Sequence, residues 1–246
     1  MKQRITSYCA DLHIHSTLSP CAEREMKPAR IFAQALNRGI KILAITDHNS
    51  TSNLPAFLRS APKELWVIPG MEVQTKEEIH MVCLFPGLEQ AMEWGRIVHA
   101  LLPPIPNQKN YFGEQNILNE QGGIVGEEPI LLLNSISLSV EETVSAVRSI
   151  GGEIYPAHVD RPSFSILSQL GFLPANLDIN VLEISRRADK LKIITEHKGY
   201  SVIRSSDAHF IKQIGLNNSI LKIEAPLWEE LLLALNHRDK REVITN

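Results

Sequence analysis

The chain has 246 residues, of which 43% are hydrophobic, and a formal net charge of −3. Its length suits one large α/β domain or two small ones, and its charge gives no indication of binding nucleic acid or a membrane surface through bulk electrostatics. It has no long apolar run and no signal-peptide pattern, which predicts a soluble, cytoplasmic protein without membrane association. Three cysteines without C-x-x-C spacing argue against a disulfide framework.

The predicted elements alternate between strands and helices along most of the chain. A first strand is predicted at residues 5–10, a helix at 28–38 ending before Gly39, and a strand at 41–46. This order, with its short return, predicts a parallel β/α unit. Further strands are predicted at residues 66–69, 80–85, 153–157, 180–184, 201–204 and 220–223. Further helices are predicted at residues 139–151, where Ser139 and Glu142 form a capping box, and at 163–170, 188–197 and 227–237.

The alternation stops at residues 86–138. A helix is predicted at 88–102, followed by prolines that end it, and then a hairpin turn at Gly122–Gly123. This stretch is too short for a core of its own, so we interpret it as an insertion within one domain spanning residues 1–246. A lid and an oligomer contact are both open roles for it, and the sequence does not determine the oligomeric state.

Histidines and carboxylates gather near the ends of the predicted strands. His13 and His15 would point to one side of a strand, because side chains alternate with a period of two, and two neutral imidazoles form a metal chelate. The alternative is two polar strand residues beside a turn. Active sites of β/α barrels lie at the carboxyl ends of the strands. Side chains predicted there are His13, His15, His48, Glu72, His158, Asp207 and His209. His80 begins its strand, and a reversed strand would bring it to the same face.

These side chains make a ligand set of nitrogen and oxygen without thiolate. Six of the nine histidines belong to it, together with Glu72 and Asp207. Such a set suits Zn, Mn or Fe in a hydrolytic site. It offers more ligands than one tetrahedral ion uses, which predicts two or three divalent ions.

The order of these motifs resembles the PHP (polymerase and histidinol phosphatase) family. The motifs are H-x-H at 13–15, T-D-H at 46–48, G-x-E at 70–72, His80, P-A-H at 156–158 and D-A-H at 207–209, and they cover most of the chain outside the insertion. The resemblance implies a distorted seven-stranded (β/α)7 barrel with a trinuclear metal site that hydrolyses phosphoesters. Carried over by residue, it assigns His13, His15 and Asp207 to one ion, Glu72 as a bridge to a second ion with His80 and His158, and His48 and His209 to a third.

The chain departs from the family pattern at one ligand. The family has an Asp in a Ser-Asp-Gly turn, whereas this chain reads Ser19-Pro20-Cys21. Glu23 is the nearest carboxylate, and we expect it to substitute as a metal ligand for the third ion. The alternative is a solvated charge near the start of the helix at Pro28, favourable to its dipole.

Three further residues have predicted roles beside the ions. Arg161 and Arg186 are expected to bind the substrate phosphate, because guanidinium groups bind phosphate bidentately; the alternative for each is a surface ion pair. Asp47 is expected to orient a metal ligand, and the alternative is a turn or helix-cap residue. No side chain is assigned as nucleophile, since a metal-bridging hydroxide would fill that role.

The leading hypothesis is a metal-dependent phosphoesterase. Its substrate would be a phosphomonoester or phosphodiester of a small metabolite, nucleotide or short oligonucleotide. The alternative is a non-catalytic metal-binding or regulatory PHP module, against which the nearly complete ligand set argues. A metal-dependent amidohydrolase is a third reading, but such barrels carry a bridging carboxylated Lys or a different motif order.

Overall fold

The computed structural model describes residues 4–245, which form a mixed α/β structure. The strands are β1 (Thr6–Ile14), β2 (Ile42–Ile45), β3 (Trp66–Gln74), β4 (His80–Leu84), β5 (Asn116–Leu118), β6 (Ile124–Glu127), β7 (Glu153–Pro156), β8 (Val181–Ile184), β9 (Ser201–Arg204), β10 (Ser219–Ile223) and β11 (Glu242–Thr245). The helices are α1 (Pro28–Asn37), α2 (Leu54–Ser60), α3 (Leu88–Leu101), α4 (Lys109–Phe112), α5 (Val140–Ser149), α6 (Ile166–Leu170), α7 (Lys190–Glu196) and α8 (Trp228–Leu235). Among these described helices, none is long and apolar enough to cross a lipid bilayer.

Seven strands form one curled sheet in the order β11-β10-β1-β2-β3-β4-β7, and β8 and β9 form a parallel pair beside it. Two backbone links join the pair to the sheet. The Val159 N–H donates to the Glu183 carbonyl at 2.8 Å, and Ile14 pairs with Ala208 as a parallel bridge. The ring therefore runs β1-β2-β3-β4-β7-β8-β9, with β10 and β11 as an antiparallel addition beside β1. The predicted distorted seven-stranded α/β barrel is confirmed.

Strand direction decides which ends of the strands reach the site. Strands β1, β2 and β3 are parallel, whereas β4 is antiparallel to both β3 and β7. In this register His80, the first residue of β4, pairs with Gln74, the last residue of β3. The reversed strand that the sequence analysis required for His80 is thus present.

Local sequence accounts for the element ends. Pro28 occupies the first turn of α1, whose buried face contains Ile31 and Phe32, and Gly39 follows with a φ of +74°. The Ser139 hydroxyl and the Glu142 carboxylate form the expected capping box of α5. These helices cover the outside of the sheet, so the carboxyl ends of the parallel strands remain free to build a site.

Two strands extend further than their sequence patterns indicated. Strand β1 continues through His13, and β3 continues past Glu72 to Gln74. Between Asp11 and Ile14, β1 has one more residue than β2 opposite it, which is a β-bulge. Bulges re-aim side chains next to active sites, and this one follows Leu12 of the barrel core. The predicted strands stopped before His13 and Glu72 because polar residues rarely continue a buried strand. Here these side chains are buried because they belong to the site.

The insertion contains α3, α4 and the expected β5–β6 hairpin. Buried amides attach it to the barrel loops. Asn49 Nδ2 donates to the carbonyls of Leu132 and Asn134, each at 2.8 Å. Asn53 Nδ2 donates to Ser16 Oγ at 2.9 Å, while its Oδ1 accepts from the Leu118 N–H at 2.8 Å. These contacts support a fixed wall beside the site.

Candidate metal centre

The carboxylate of Glu72 lies at the centre of a group of five imidazoles. Its side chain is 1% exposed. Oε1 lies 3.0 Å from His80 Nδ1 and 3.3 Å from both His158 Nε2 and His13 Nε2. Oε2 lies 3.0 Å from His48 Nδ1 and 3.4 Å from His15 Nε2. Each carboxylate oxygen therefore faces its own set of ring nitrogens, as a bridging ligand would.

Asp207 and His209 enter the same space from the segment after β9. Asp207 Oδ1 lies 3.2 Å from His15 Nε2 and 3.5 Å from His13 Nε2. Three sets of donor atoms lie within 4.8 Å of one another: His13, His15, Glu72 and Asp207; His48, Glu72 and His80; and His15, His48 and His209. His48 was expected to pair with His209 alone, and it also belongs to the set around Glu72. His158 joins these sets only through its contact with Glu72.

Two of these residues have unusual backbone conformations. His158 has a φ of +30° and Asp207 a φ of +48°, a region that non-glycine residues rarely adopt. Such strain costs about 1–3 kcal/mol per residue and persists only where the surroundings enforce it. Both residues therefore have their side chains aimed by the fold, at an energetic cost.

Glu183 is a functional residue that the sequence analysis missed. It lies on β8 and is 1% exposed, and its two carboxylate oxygens lie 3.0 and 3.2 Å from His13 Nδ1. It also accepts a hydrogen bond from the His158 N–H at 3.3 Å. When His13 is neutral, its Nδ1–H donates to this carboxylate and Nε2 is left unprotonated toward Glu72 and Asp207, as metal binding requires. A carboxylate of this kind fixes the tautomer of a metal-binding histidine.

His15 is oriented through a chain of two hydrogen bonds that ends at Asp47. Its Nδ1 lies 2.9 Å from Ser19 Oγ, and the Ser19 hydroxyl donates to Asp47 Oδ1 at 2.7 Å. Asp47 also accepts from the Ser16 N–H at 2.7 Å. Asp47 is thus joined to His15 through Ser19, and its role in orienting a metal ligand stays a prediction.

His80 is contacted at one face of its ring and at its far nitrogen. Gln74 Oε1 lies 3.1 Å from His80 Nε2 and accepts a hydrogen bond from the Nε2–H, while Nδ1 faces Glu72. The Phe164 ring stacks on the imidazole with a centroid distance of 4.9 Å. Gln74 was not predicted, because its place opposite His80 depends on the reversed direction of β4.

The buried carboxylates of the centre shift the pKa values of the histidines around them, and the histidines shift theirs. Burial alone would raise the pKa of Glu72, but the surrounding histidines, His80 first, hold it well below its usual value. Burial disfavours charge on His13, yet Glu183, Glu72 and Asp207 raise its pKa well above 6.5. The nearby carboxylates of Asp207 and Glu72 likewise overcome burial and raise the pKa of His15 to about 8. Protonated histidines thus compensate the buried acids.

His48 and His209 favour the neutral form that binds metal. Burial lowers the pKa of His48 to about 4 and that of His209 to about 3. Within residues 4–245, three buried atoms of the centre have no hydrogen-bond partner: Glu72 Oε2, Asp207 Oδ1 and His158 Nδ1. The short contacts of the two carboxylate oxygens with imidazoles therefore lack hydrogen-bond geometry. Buried polar atoms without partners require an explanation, and the nitrogen and oxygen donor set fits divalent cations.

The sequence matches the PHP domain over residues 11–154, which is more than half of the chain. The chain belongs to the PHP domain family. Uncharacterized protein YqxK of Bacillus subtilis (strain 168) is 29% identical over 108 residues, which cover 41% of this chain and 28% of YqxK. This PHP domain therefore spans less than a third of that curated relative.

Solved structures share the fold at low sequence identity. The lesion-specific endonuclease Q of Pyrococcus furiosus has a TM-score of 0.74 and 22% identity, covering 97% of this chain and 58% of its own. An endonuclease Q complex with a 27-mer duplex that has an abasic lesion at the active site has a TM-score of 0.77 and 20% identity, with coverages of 96% and 58%. A two-domain protein of Bacteroides vulgatus with a predicted PHP-like metal-dependent phosphoesterase has a TM-score of 0.57 and 14% identity, with coverages of 98% and 66%.

Glu23 lies at the edge of the PHP metal centre. Its N–H donates to the His209 carbonyl at 2.9 Å, and its Oε1 accepts a short hydrogen bond from the Ile211 N–H. In the part of the chain that the structure describes, Glu23 belongs to none of the three donor sets. One of its oxygens is therefore engaged with backbone next to His209, while its role as a ligand stays a prediction.

The two predicted arginines line one cavity of about 810 Å³ next to the centre. Arg161 contacts Asp207 Oδ2 at 2.7 Å and is 41% exposed, and Arg186 is exposed on the loop after β8. Arg187 lines the same cavity and was not singled out in the sequence. The other lining residues are His158, Asp160, Pro162, Glu183, Ser185, Ser205, Ser206, Asp207 and Gln213.

Proposed function

We propose that this PHP domain is a metal-dependent phosphoester hydrolase. The observation that carries the proposal is the position of Glu72, whose buried carboxylate has imidazoles of different strands at each oxygen. A single structural ion would not need both faces of this carboxylate. A bridging carboxylate between two ions does, and paired ions are the usual machinery of phosphoester hydrolysis.

The proposed ligand assignment follows the family resemblance; its first and third groups agree with donor sets, whereas, among the residues that the structure describes, His158 belongs to no set. His13, His15 and Asp207 would hold one ion with Glu72, while His80 and His158 would hold a second. His48 and His209 would serve a third, with Glu23 as its nearest carboxylate. Divalent ions bound here would supply a water of lowered pKa as nucleophile and neutralise charge on the phosphate. We propose that the site binds two or three divalent ions and that these ions are Zn, Mn or Fe.

The chain's own side chains would bind the substrate and orient the ligands. Arg161 has its guanidinium 2.7 Å from Asp207 Oδ2, so a phosphate bound to it would lie next to the ligands. We propose that Arg161 binds the reacting phosphate, with Arg186 as a second phosphate-binding residue of the same cavity. Glu183 and Asp47 would keep His13 and His15 in the tautomers that leave their Nε2 atoms free.

The proposed substrate is a phosphomonoester or phosphodiester of nucleotide size, or a short oligonucleotide. Ligand pockets for molecules of this size measure about 300–1,000 Å³, and the cavity beside the centre is about 810 Å³. The likeness to endonuclease Q, one structure of which contains duplex substrate, adds weight to a nucleic-acid phosphodiester. We propose also that residues 86–138 belong to this same domain, since buried amides attach them to the site loops.

A substrate panel tests this function. Protein stripped with chelator would be reconstituted separately with Mn, Zn and Fe and assayed on mono- and diesters, including nucleotides, oligonucleotides and duplex DNA. We expect hydrolysis of at least one class, its loss on renewed chelation, and its recovery with metal. The Glu72→Gln variant is the matched control, since it preserves shape and removes the bridging charge. Metal-replete protein that is inactive on the whole panel would favour the non-catalytic PHP module instead.

A further inference from the structure

The hairpin of the insertion contacts a buried asparagine at the start of α2. Asn53 is fully buried, and both ends of its amide are engaged. Its Nδ2 donates to the Asn116 carbonyl of β5 at 3.1 Å and to Ser16 Oγ at 2.9 Å. Its Oδ1 accepts from the Leu118 N–H of the same strand at 2.8 Å. A carbonyl at one end and an N–H at the other permit a single orientation of the amide, so β5 fixes which way Asn53 points its donor.

The Ser16 hydroxyl is oriented by the groups around its oxygen. Ser16 Oγ accepts from Asn53 Nδ2 at 2.9 Å and from the Leu18 N–H at 3.2 Å. These two donors occupy both lone pairs of the hydroxyl oxygen, so its proton points elsewhere. It donates to Asp47 Oδ2 at 2.6 Å. The backbone of β5 therefore determines, through Asn53, the direction in which this hydroxyl donates.

Asp47 continues the same hydrogen-bond direction to His15. Its carboxylate accepts from the Ser19 hydroxyl at 2.7 Å, which leaves the oxygen of that hydroxyl as an acceptor. When His15 is neutral, its Nδ1–H donates to Ser19 Oγ at 2.9 Å, and Nε2 is the nitrogen free for a metal ion. Asn53, Ser16, Asp47, Ser19 and His15 are each at most 2% exposed, which shields these bonds from bulk water.

We propose that Asn53 is a positioning residue through which the insertion sets the metal affinity of the ligand His15. We call the path the Asn53 chain; it runs from the backbone of β5 through Asn53, Ser16, Asp47 and Ser19 to His15. Loss of an outer partner of a metal ligand costs about 10–100-fold in metal affinity. The inference rests on the proposed metal centre and adds a role for the insertion in metal binding.

A purely structural amide would behave differently from a member of this chain. If Asn53 only held the hairpin against the barrel, its loss would lower the stability of the fold and leave the effect of a Ser16 substitution unchanged. If Asn53 acts through Ser16, either substitution interrupts the same path. The effects of the two substitutions on metal affinity would then be non-additive, which a double-mutant cycle measures.

The cycle compares Zn affinity in the wild type, Asn53→Leu, Ser16→Ala and the double variant. Leucine is close to asparagine in size, so it leaves no space for a water that could replace the amide. Competitive titration with a chromophoric chelator gives each Kd. We expect each single variant to bind Zn about tenfold more weakly, the lower end for an outer partner, and the double variant to be about as weak as Ser16→Ala alone. Independent effects would multiply to about 100-fold and would overturn the proposal, as would an unchanged Kd in Asn53→Leu.

Asn119→Leu is the matched control. This asparagine lies in the turn of the same hairpin, where its Oδ1 accepts from the N–H groups of Gln121 at 3.1 Å and Gly123 at 2.8 Å. The substitution loosens the hairpin without removing any bond of Asn53. It should lower Tm while the Kd for Zn stays that of the wild type. A loss of Zn affinity equal to that of Asn53→Leu would attribute the effect to general loosening and exclude the Asn53 chain.

Problems of folding and of the metal centre have separate readouts. Circular dichroism and Tm are measured for every variant. If Asn53→Leu does not fold, Asn53→Ser takes its place in the cycle with the same expected result, since its short side chain does not span the distance to Ser16. A wild type that binds no divalent ion would remove the metal centre and the proposal together. A wild type that binds Zn with an additive cycle would remove the Asn53 chain alone, and a non-additive cycle in an inactive protein would support the chain without the hydrolase function.

Discussion

The two sides of the site differ in burial and in how their side chains are held. On the side built by β1 to β4, His13, His15 and Glu72 are at most 1% exposed. On the side built by the segments after β7, β8 and β9, Arg161 is 41% exposed and Arg186 and Arg187 are exposed. The first, which we call the metal side, suits ions that need fixed donors. The second, the cavity side, suits a substrate that must enter and leave.

The metal side should be the more sensitive of the two, and Glu72→Ala should have the largest effect. Removal of the bridging carboxylate would leave its imidazoles without their shared negative partner and two cations without screening charge. We expect loss of at least one metal equivalent and of nearly all activity, more than the roughly 10–100-fold that loss of an outer partner costs. Elemental analysis and kinetics measure both effects. Full metal content in this variant would exclude the bridging role.

Glu183→Gln tests whether the metal side depends on the hydrogen bonds behind its ligands. The amide keeps the size of the side chain but weakens the bond that fixes the His13 tautomer. Metal affinity should fall by about 10–100-fold, with the fold retained. Competitive metal titration measures the affinity and circular dichroism the fold. Glu141→Gln, on the exposed face of α5, is the matched control and should bind metal as the wild type does.

Arg161→Ala tests the cavity side. This residue contacts Asp207 but belongs to no donor set, so its loss should lower kcat/KM by about 10–100-fold through the missing phosphate contact. Metal content should be unchanged. Arg24→Ala, which removes an exposed arginine paired with Glu114, is the charge-matched control. An unchanged kcat/KM would make Arg161 an ion-pair residue only, and lost metal would place it on the metal side.

The smallest expected effect concerns the wall that the insertion builds beside the metal side. Gly113 has a φ of +105°, and an added Cβ would lie 2.0 Å from the Pro20 carbonyl oxygen. Gly113→Ala should therefore destabilise the fold by about 1–3 kcal/mol through backbone strain, and more through this clash. Gly171→Ala has a positive φ with a ψ of −6°, against a ψ of 177° at Gly113, and has nothing within 4 Å, so it shows the strain of the left-handed region without a clash. A lower Tm for Gly113→Ala than for Gly171→Ala would measure the contact between insertion and loop.

The donor side chains of the centre could be predicted from the sequence because nearly all of them belong to short motifs at strand ends. His80 required the additional assumption of a reversed strand, which the register with Gln74 confirms. Glu183 could not be found in this way. It stands alone in the apolar run V-L-E-I, and its partner His13 is 170 positions away. Only closure of the barrel brings the Glu183 side chain of β8 to His13 of β1, so no local pattern predicts the contact.

Three short elements were missed for reasons of length and context: α2, β11 and the four-residue α4. Helix α2 has seven residues, with a proline in its first turn, and β11 has four residues near the end of the chain. Short elements like these depend on their neighbours more than on their own propensity. Strand β11 forms by pairing with β10, and α2 packs against β3. The role of the insertion was left open for a similar reason, because the amides that attach it belong to Asn49 and Asn53, which are distant from it in sequence.

The reversed direction of β4 has a consequence for the path of the whole chain. A strand that begins at the site must end at the opposite rim of the barrel, so the chain leaves β4 on the far side. Helix α3 has 14 residues and spans about 21 Å, enough to return the chain along the outside of the barrel. Helix α5 then descends again, so that β7 can rise toward His158. One inverted strand thus obliges the polypeptide to make a second round trip, and residues 86–138 contain its turning point beside the metal centre.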